Sequence, residues 1–287
     1  MAVVSCLYIV ATPIGNLDDI TLRAIQVLKD ADVVAAEDTR HSRSLLDHFG
    51  ITSRLVSYRD HNEAASTQGL LTLMAEGQTV ALVSDAGTPL ISDPGYRLVQ
   101  AALASGIQVV PIPGASAVIA ALSVSGMATD RFSFEGFLPA KRVARQSYLQ
   151  QLSQESQTLV FYEAPHRIRE ALLDIAEVLG EDRRVTLARE LTKRFEQVWN
   201  GPVSEAIAHI GSKHIPERGE FVLLVAGIGS ARLSSEQYEA RRIMGLLLPE
   251  MPPRRAAEIA SQITGETKKA LYDLAVQMRK QDKLAPI

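Results

Sequence analysis

The chain contains little cysteine, and this scarcity limits its chemistry. Its 287 residues include one cysteine, Cys6, inside an apolar run typical of a buried strand. A single thiol forms no disulfide within the chain, so we expect a core residue in a reducing, cytoplasmic setting. The 6 histidines do not cluster with Cys6 or with each other at metal-ligand spacing, and we expect no metal site.

Two common signatures of nucleotide binding and hydrolysis are also missing. The sequence has no glycine-rich phosphate-binding loop and no Gly-x-Ser-x-Gly turn that would present a nucleophilic serine. Aromatic residues make up only 5% of the chain, so surfaces for ring stacking must be few. The net charge of −3 excludes a surface coated with basic charge but leaves room for a local basic patch.

Charge is absent from residues 98–129, which raises the question of a membrane-spanning segment. Pro111, Pro113 and Gly114 interrupt this run, so a buried strand followed by a buried helix fits it better. The apolar run at 3–10 lacks a basic leader, and we expect neither a signal peptide nor membrane association.

Strand and helix patterns alternate along the first part of the chain, which predicts an α/β fold around a mainly parallel sheet. The predicted strands are 7–11, 32–36, 54–58, 79–84 and 108–112, and the predicted helices are 20–29, 42–49, 66–76 and 95–104. A second α/β region with a mixed sheet follows. Its predicted strands are 132–137, 158–162, 184–188, 196–201 and 220–226, and its predicted helices are 142–153, 166–179 and 203–210.

The composition changes after a glycine-containing linker near residue 228. Basic residues outnumber acidic ones in 231–287, whereas the reverse holds before them. Positions 256, 259, 260 and 263 form one helix face, Gly265 makes a turn, and Lys268, Lys269 and Tyr272 follow on a second helix. This helix-turn-helix pattern fits either a nucleic-acid contact or a helical cap. We expect domains at 1–117 and 118–230, with a small helical C-terminal tail at 231–287.

Ligands of parallel α/β sheets bind outside the carboxyl ends of the strands, and the loops there are unusual. Small residues and glycine at 84–95 and 112–117 leave room for a ligand near the backbone. Free N–H groups at the helix start after Gly114 can hold a carboxylate. Acidic and basic side chains crowd the strand ends at 37–41, 161–167 and 189–196, and a Pro-Gly turn occupies 11–19.

At these loops the sequence resembles the tetrapyrrole methylase superfamily of S-adenosylmethionine enzymes, and more closely its branch of bacterial rRNA ribose 2′-O-methyltransferases. The matching motifs are Ala-Thr-Pro-Ile-Gly-Asn-Leu at 11–17, Glu-Asp-Thr-Arg at 37–40, Ser-Asp-Ala-Gly-Thr-Pro at 84–89, Pro-Gly-Ala-Ser-Ala at 113–117, Phe-Glu-Gly-Phe-Leu-Pro at 134–139, Glu-Ala-Pro-His-Arg at 163–167 and Arg-Glu-Leu-Thr-Lys at 189–193.

The resemblance implies two α/β domains with a cofactor cleft between them, a homodimer, and S-adenosyl-L-methionine as the cofactor. It also implies a substrate, the ribose 2′-hydroxyl of a cytidine in the decoding region of 16S rRNA, either free or in the 30S ribosomal subunit. The residues expected to line the cofactor are Pro13, Ser84, Asp85, Ala86, Gly87, Ser116, Ala117 and Tyr162.

A ribose hydroxyl is a weak nucleophile that must be oriented and must lose its proton during or after attack. We expect the catalytic groups among Asp38, Arg40, Glu190 and Lys193, without a choice of the general base. RNA binding requires positive charge to meet phosphates. The expected basic track comprises Lys141, Arg142, Arg145, Arg167, Lys268 and Lys269, together with Arg169 and Arg194.

Two alternative functions stay open. One is methylation of a tetrapyrrole ring carbon, as in a precorrin-type methyltransferase, against which the basic segment 141–145 and the helix-turn-helix pattern argue. The other is a DNA-binding regulator whose α/β part senses a small ligand. The strand-end loops carry more charged groups than such a ligand pocket requires.

Overall fold

A computed structural model describes residues 5–59, 63–211, 214–228 and 235–282. The chain forms two units, residues 1–227 and residues 228–287. The first unit contains two five-stranded sheets with their helices, and the second contains helices. The domain boundaries expected near 117 and 230 stay predictions.

The first sheet is parallel throughout, as the sequence predicts, and its strand order is β3-β2-β4-β1-β5. Its strands are β1 Cys6–Val10, β2 Val33–Ala36, β3 Arg54–Ser57, β4 Val80–Val83 and β5 Gln108–Ile112, and its helices are α1 Leu22–Asp30, α2 Thr39–His48, α3 Glu63–Ala75 and α4 Tyr96–Ala104. Cys6 is buried, as expected.

Helices cover both faces of this sheet, which explains why β2 and β4 are apolar and buried along their whole length. Leu28 of α1 and Leu46 of α2 join the core on one face. Met74 of α3 and Leu98 of α4 join the core on the other face. The loops at the strand ends are therefore the part of the sheet that remains open to a ligand.

The helix α2 begins three residues earlier than the pattern predicts, because Asp38 caps it. The Asp38 carboxylate accepts hydrogen bonds from the backbone N–H groups of Arg40 at 2.8 Å and His41 at 3.4 Å. An aspartate at this position satisfies N–H groups that have no partner inside the helix. The polar first turn hides this start from an analysis based on apolar periodicity.

After helix α5, Ala117–Val124, the chain builds a mixed sheet, as predicted, and its strand order is β6-β7-β10-β8-β9. β6 and β7 are parallel, and the other neighbours are antiparallel. The strands are β6 Phe132–Phe137, β7 Thr158–Glu163, β8 Arg184–Arg189, β9 Gln197–Pro202 and β10 Phe221–Val225, and the helices are α6 Arg142–Gln151, α7 Ile168–Leu179 and α8 Val203–His209.

The two faces of this second sheet have different partners. In β10, Phe221 and Leu223 join a core formed with α6, α7 and α8. Val222 and Leu224, which point the other way, join a core with Val118 of α5 and Ile14 of the loop after β1. Because side chains alternate along a strand, one strand packs on its own helices and also on elements connected to the first sheet.

The second unit contains α9 Ser235–Leu247, α10 Pro253–Thr264 and α11 Lys268–Asp282. Gly265 ends α10 with a φ of 77°, which glycine adopts without strain and which makes the predicted turn. The predicted inner face of α10 is partly wrong, because Ile263 is 61% exposed. The buried stripe runs through Ala256, Ala257 and Ala260 instead, rotated from the predicted face. Among the helices of the described residues, none combines the length and apolarity needed to cross a bilayer.

An ion pair inside the first unit corrects one of the RNA-binding predictions. Arg145 of α6 is 1% exposed, and its Nε donates to the Asp174 carboxylate of α7 at 2.6 Å. The same guanidinium donates to the Ala140 carbonyl at 3.2 Å. Arg145 was expected on a basic surface track, but a buried and paired guanidinium cannot meet a phosphate. It holds α6 against α7.

Replacement of Arg145 by Ala should lower the free energy of unfolding by about 3 kcal/mol, the low end of the range for a broken buried ion pair. Asp174 loses its buried partner at 2.6 Å but keeps hydrogen bonds from Arg142 at 3.1 Å and Gln146 at 2.9 Å. Urea denaturation followed by circular dichroism measures this change. Arg40→Ala is the control, since Arg40 is 90% exposed and its pair with Asp38 should contribute less than about 1 kcal/mol. Equal stabilities of the two variants would contradict this account of the ion pair.

Candidate active site

A cavity of about 460 Å³ lies where the strand-end loops of the two sheets meet. This volume falls in the range of roughly 300–1,000 Å³ that small-molecule sites occupy. The first sheet contributes residues 14, 37, 85–88, 91–93, 116 and 117, and the second contributes residues 137, 162–165, 188, 191 and 220–222. Six of the residues predicted to line a ligand do so, namely Asp85, Ala86, Gly87, Ser116, Ala117 and Tyr162.

The other two residues predicted to line the cavity, Pro13 and Ser84, are not part of its wall. Thr12 and Gly87 exchange backbone hydrogen bonds of 2.9 and 3.1 Å, which join the loop after β1 to the loop after β4. Ser84 is buried, and its hydroxyl donates to the Gly87 carbonyl at 3.4 Å. Ser84 thus supports this junction from inside, while Ile14 rather than Pro13 reaches the cavity.

The cavity wall is acidic. It includes the carboxylates of Glu37, Asp85, Asp93, Glu163 and Glu220, and no lysine or arginine occurs among the described residues that line it. Asp85 also accepts the Asp38 backbone N–H at 3.0 Å, which fixes one carboxylate at the wall. A cleft lined by one sign of charge concentrates ligands of the opposite sign, so this cavity favours a cationic ligand.

The aromatic part of the wall comes from the ends of β6 and β7. Tyr162 packs edge-on against Phe134 and Phe137, with ring centroids 4.9 and 5.7 Å apart. Burial raises the pKa of Tyr162 to about 12, helped by the nearby carboxylates of Asp93 and Glu220. The ring is therefore a neutral phenol at physiological pH and offers an apolar surface beside the acidic groups.

The start of α5 adds hydrogen-bond donors to the cavity. Ser116 occupies the N-cap position without a side-chain hydrogen bond to the helix, and Ser116 and Ala117 both line the cavity. The first N–H groups of a helix have no partner inside it and carry partial positive charge. Gly114 makes the close approach possible, because a Cβ there would lie 2.9 Å from the Ala11 Cβ. This end of an otherwise acidic cavity can accept a carboxylate.

Glu190 and Lys193 lie beside the cavity, in a tightly fixed loop after β8. The Lys193 Nζ donates to Glu190 Oε1 at 3.0 Å and to Glu220 Oε2 at 2.9 Å. Glu190 has a φ of 50°, and a Cβ on Gly219 would clash with its side chain. A Cβ on Gly15 would lie 2.9 Å from the Leu191 carbonyl and clash with Lys193. The loop after β8 therefore packs directly on the loop after β1.

The charges of this group oppose one another. Burial alone would lower the pKa of Lys193, but the Glu220 and Glu190 carboxylates outweigh burial and raise it above its usual value. Burial likewise disfavours the charge of Glu190, but the Glu220 backbone N–H and Lys193 outweigh it and lower the pKa of Glu190. At neutral pH, Lys193 is therefore a cation held between two carboxylates.

The other two residues that the sequence suggests for catalysis are not among those that line the cavity. Asp38 caps α2. The hydrogen bond from the backbone N–H of Arg40 is the largest of the effects that lower the pKa of Asp38. Arg40 is exposed and pairs with Asp38 at 3.7 Å. The neighbouring Glu37 lines the cavity in their place.

The sequence analysis missed Glu37, Glu163 and Glu220 as parts of the wall. Glu37 and Glu163 stand in the motifs singled out for their loops, so their strand-end position was the available signal. Glu220 precedes β10, which runs antiparallel to β7 and β8 and so begins at the edge where those strands end. The position of Glu220 can be predicted only when the strand order is known, and no local sequence pattern gives that order.

The predicted basic residues are dispersed. Lys141 and Arg142 are exposed on α6, where Arg142 pairs with Glu177 at 2.7 Å. Arg167 is partly buried, pairs with Glu163 at 3.3 Å and donates to the Leu138 carbonyl. In the second unit, Lys268 and Lys269 are exposed, and Lys268 donates to Glu258 at 3.0 Å. Within the described ranges, no group of His, Cys, Asp and Glu is arranged to hold a metal ion.

Comparison with known proteins gives two family matches and a group of close relatives. Residues 6–207 match the family of Tetrapyrrole (Corrin/Porphyrin) Methylases, and residues 235–279 match the RsmI C-terminal HTH domain. The chain is 51% identical over 272 residues to the ribosomal RNA small subunit methyltransferase I of Pseudomonas aeruginosa, covering 94% of this chain and 96% of that protein. It is 50% identical over 273 residues to the protein of the same name from Escherichia coli O157:H7, covering 95% of each.

Solved structures share the fold at low sequence identity. A diphthine synthase matches 77% of this chain and 90% of its own, with a TM-score of 0.59 and 16% identity. The methyltransferase CobJ matches 80% of this chain and 97% of its own, with a TM-score of 0.57 and 20% identity. These likenesses establish the two-sheet fold of residues 1–227.

Replacement of Glu190 by Gln keeps an acceptor for the Glu220 N–H but removes the charge that Lys193 stabilises. Because the folded-state pKa of Glu190 lies below its ordinary value of 4.5, the charge stabilises the protein above that pH. The stability difference between wild type and Glu190→Gln should be full near neutral pH and shrink as pH falls through the folded pKa. Urea denaturation across this pH range measures it. A difference that grows on acidification would refute the assigned pKa direction.

Proposed function

The chain belongs to the tetrapyrrole methylase family, and from this premise we propose that it transfers a methyl group from S-adenosylmethionine to the ribose 2′-hydroxyl of a cytidine in small-subunit rRNA. The observation that carries the proposal is the acidic cavity at the joined strand ends of the two sheets. A sulfonium cofactor is a cation of the size and charge that this cavity favours.

The residues present fit S-adenosylmethionine. The carboxylates of the wall would offset the positive charges of its sulfonium and ammonium groups, and the N–H groups at the start of α5 would hold its carboxylate. Tyr162 and Phe137 offer an aromatic surface for the adenine. Gly87 has a φ of 82°, and a Cβ at this position would lie 3.3 Å from the Ile14 side chain. Its lack of a side chain leaves the backbone accessible to a ligand. When bound, the cofactor supplies an electrophilic methyl carbon.

The proposed substrate rests on the relatives and on the second unit. The proteins that share about half of this sequence are named for the small-subunit rRNA, and the tail matches the helix-turn-helix domain found in them. Lys141, Arg142, Lys268 and Lys269 are exposed cations that can meet phosphates. We propose free 16S rRNA or the 30S subunit as the partner, a homodimer as the assembly and the cytoplasm as the location.

The proton acceptor must be a group that is unprotonated, lies at the cavity and can be reached by a large RNA. Lys193 is protonated because its pKa is raised, and Arg40 is always charged. Glu163 lines the cavity, but its side chain is fully buried against Arg167. Glu37, Asp85 and Asp93 also line the cavity but are only partly exposed, whereas the Glu220 side chain is 76% exposed and receives a hydrogen bond from Lys193. We assign proton acceptance to Glu220.

Glu190 and Lys193 then act as positioning residues. Lys193 fixes one oxygen of the Glu220 carboxylate. The Glu190 carboxylate accepts hydrogen bonds from the Lys193 ammonium and from the Glu220 backbone N–H, each with a donor–acceptor distance of 3.0 Å. Asp38 contributes by fixing Asp85 and the start of α2. A general base works best when it is held within hydrogen-bond reach of the proton that it removes.

The function is tested by transfer of labelled methyl from S-adenosylmethionine to purified small ribosomal subunits that lack their modifications, with naked rRNA and a precorrin as parallel substrates. Ribose methylation should appear as label in the RNA at one cytidine, with the adjacent phosphodiester bond resistant to alkali. Label in the precorrin alone would favour the ring-carbon methyltransferase. Cofactor binding together with specific duplex-DNA binding and no methyl transfer would favour the regulator.

Replacement of Glu220 by Gln should lower kcat by about 10²–10⁴-fold, because the 2′-hydroxyl loses its proton acceptor. The dissociation constant of the cofactor should rise far less than kcat falls, because the carboxylates of Glu37, Asp85, Asp93 and Glu163 still line the cavity. Glu217→Gln is the matched control, because Glu217 precedes the same strand but pairs with Arg169 outside the cavity. Single-turnover methylation of small subunits measures the rate, and full activity of Glu220→Gln would remove this residue from the mechanism.

A further inference from the structure

An exposed aromatic ring lies in the loop after β8, whose Leu191 lines the active site, and it has no role in the chemistry described above. Phe195 lies in the loop between β8 and β9, and it is 64% exposed. The Arg194 guanidinium lies over its ring, with Cζ 5.6 Å from the ring centroid. Aromatic residues are scarce in this chain. A phenylalanine that stays exposed in the folded protein does not contribute the stabilisation that a buried ring would.

The loop that presents Phe195 is fixed at many points. Arg189 is buried, and its guanidinium donates to the Phe195 carbonyl at 3.1 Å and to the Arg218 carbonyl at 2.6 Å. The Thr192 N–H donates to the Glu196 carboxylate at 2.6 Å. A loop held this firmly keeps the ring outward at a defined place, which reduces the conformational entropy lost on binding.

The same loop borders the active site. Leu191 lines the cavity, and Lys193 donates to Glu220, the proposed proton acceptor. Phe195 is therefore two residues along the chain from a side chain that contacts the catalytic carboxylate. We expect the nucleotides that flank a ribose held at Glu220 to reach this loop.

We propose that Phe195 and Arg194 form a stacking platform for an unpaired RNA base next to the methylated nucleotide, an inference that rests on the proposed function. Proteins recognise single-stranded RNA by stacking splayed bases on aromatic rings and on arginine guanidinium planes, and both occur here side by side. The flanking charges of Arg194 and Glu196 argue against a hydrophobic contact with a second copy of the chain. One ring also falls far short of the roughly 800 Å² per partner that a stable dimer buries.

Four variants of the full chain test the platform, and one of them, Arg194→Gln, removes the guanidinium. Phe195→Ala removes the ring, Phe195→Trp keeps an aromatic surface, and Leu103→Ala is a matched control. Leu103 is 60% exposed, and it lies at the end of α4, near the amino ends of the strands and away from the cavity. Each variant is assayed for methylation of unmodified small ribosomal subunits, for cofactor affinity and for oligomeric state by sedimentation.

Phe195→Ala should raise KM for the subunits at least about fivefold, the lower end of the loss expected for one stacked base. Its kcat should change little, because the contact binds substrate and transition state alike. Phe195→Trp should restore KM, and the cofactor affinity should not change. In filter binding, Arg194→Gln should reduce the magnitude of the slope of log affinity against log salt concentration by about 1, the effect of losing one phosphate contact. Phe195→Ala should leave this slope unchanged.

A KM for Phe195→Ala equal to that of Leu103→Ala would overturn the platform while the proposed function stands. A change in sedimentation caused by Phe195→Ala would also overturn it and would assign the ring to a contact between copies of the chain. If wild type methylates no RNA, the proposed function fails and the platform fails with it. The activity of wild type in the same assay therefore distinguishes failure of the platform from failure of the proposed function.

Discussion

The packing of the second sheet on elements of the first is the contact on which the site depends. Ile14, Val118 and Leu122 pack against Val160, Val222 and Leu224 in one buried cluster. Gly15 allows the loop after β8 to approach the loop after β1, since a side chain there would displace Leu191 and Lys193. Neither sheet encloses a ligand alone, because each supplies only half of the wall. The small residues in the loop after β1 therefore shape a cavity whose other half comes from residues far along the chain.

Charge is divided between the inside and the rim of this site. Carboxylates line the wall, and the cations next to it are held in ion pairs, such as Lys193 with Glu220 and Arg167 with Glu163. This division suits a cationic cofactor inside and a polyanionic substrate outside. Lys193 fixes a carboxylate while remaining charged, which is a different role from the proton transfer that its place in a motif first suggested.

The parallel first sheet and the mixed second sheet were predictable, because β-branched runs and helical periodicity alternate with clear spacing. The strand ends were predictable as the ligand site, and six wall residues follow from them. Glu220 was not, because its position depends on β10 running antiparallel between β7 and β8. Arg145 was misassigned because a basic residue on an amphipathic helix is expected to be exposed. Only its partner on another helix, Asp174, explains its burial. Asp38 caps α2, and the sequence alone cannot predict this role, because a capping aspartate and a catalytic one look alike in a strand-end motif.

The central claim is that one cofactor contacts both halves of the cavity at once. Amide hydrogen exchange with and without S-adenosylmethionine tests it most directly. We expect slower exchange on addition of the cofactor in peptides that contain 85–88 and 116–118 from the first sheet, and equally in those that contain 162–165 and 220–222 from the second. Protection confined to one sheet, or protection outside these segments alone, would contradict a site built jointly by the two.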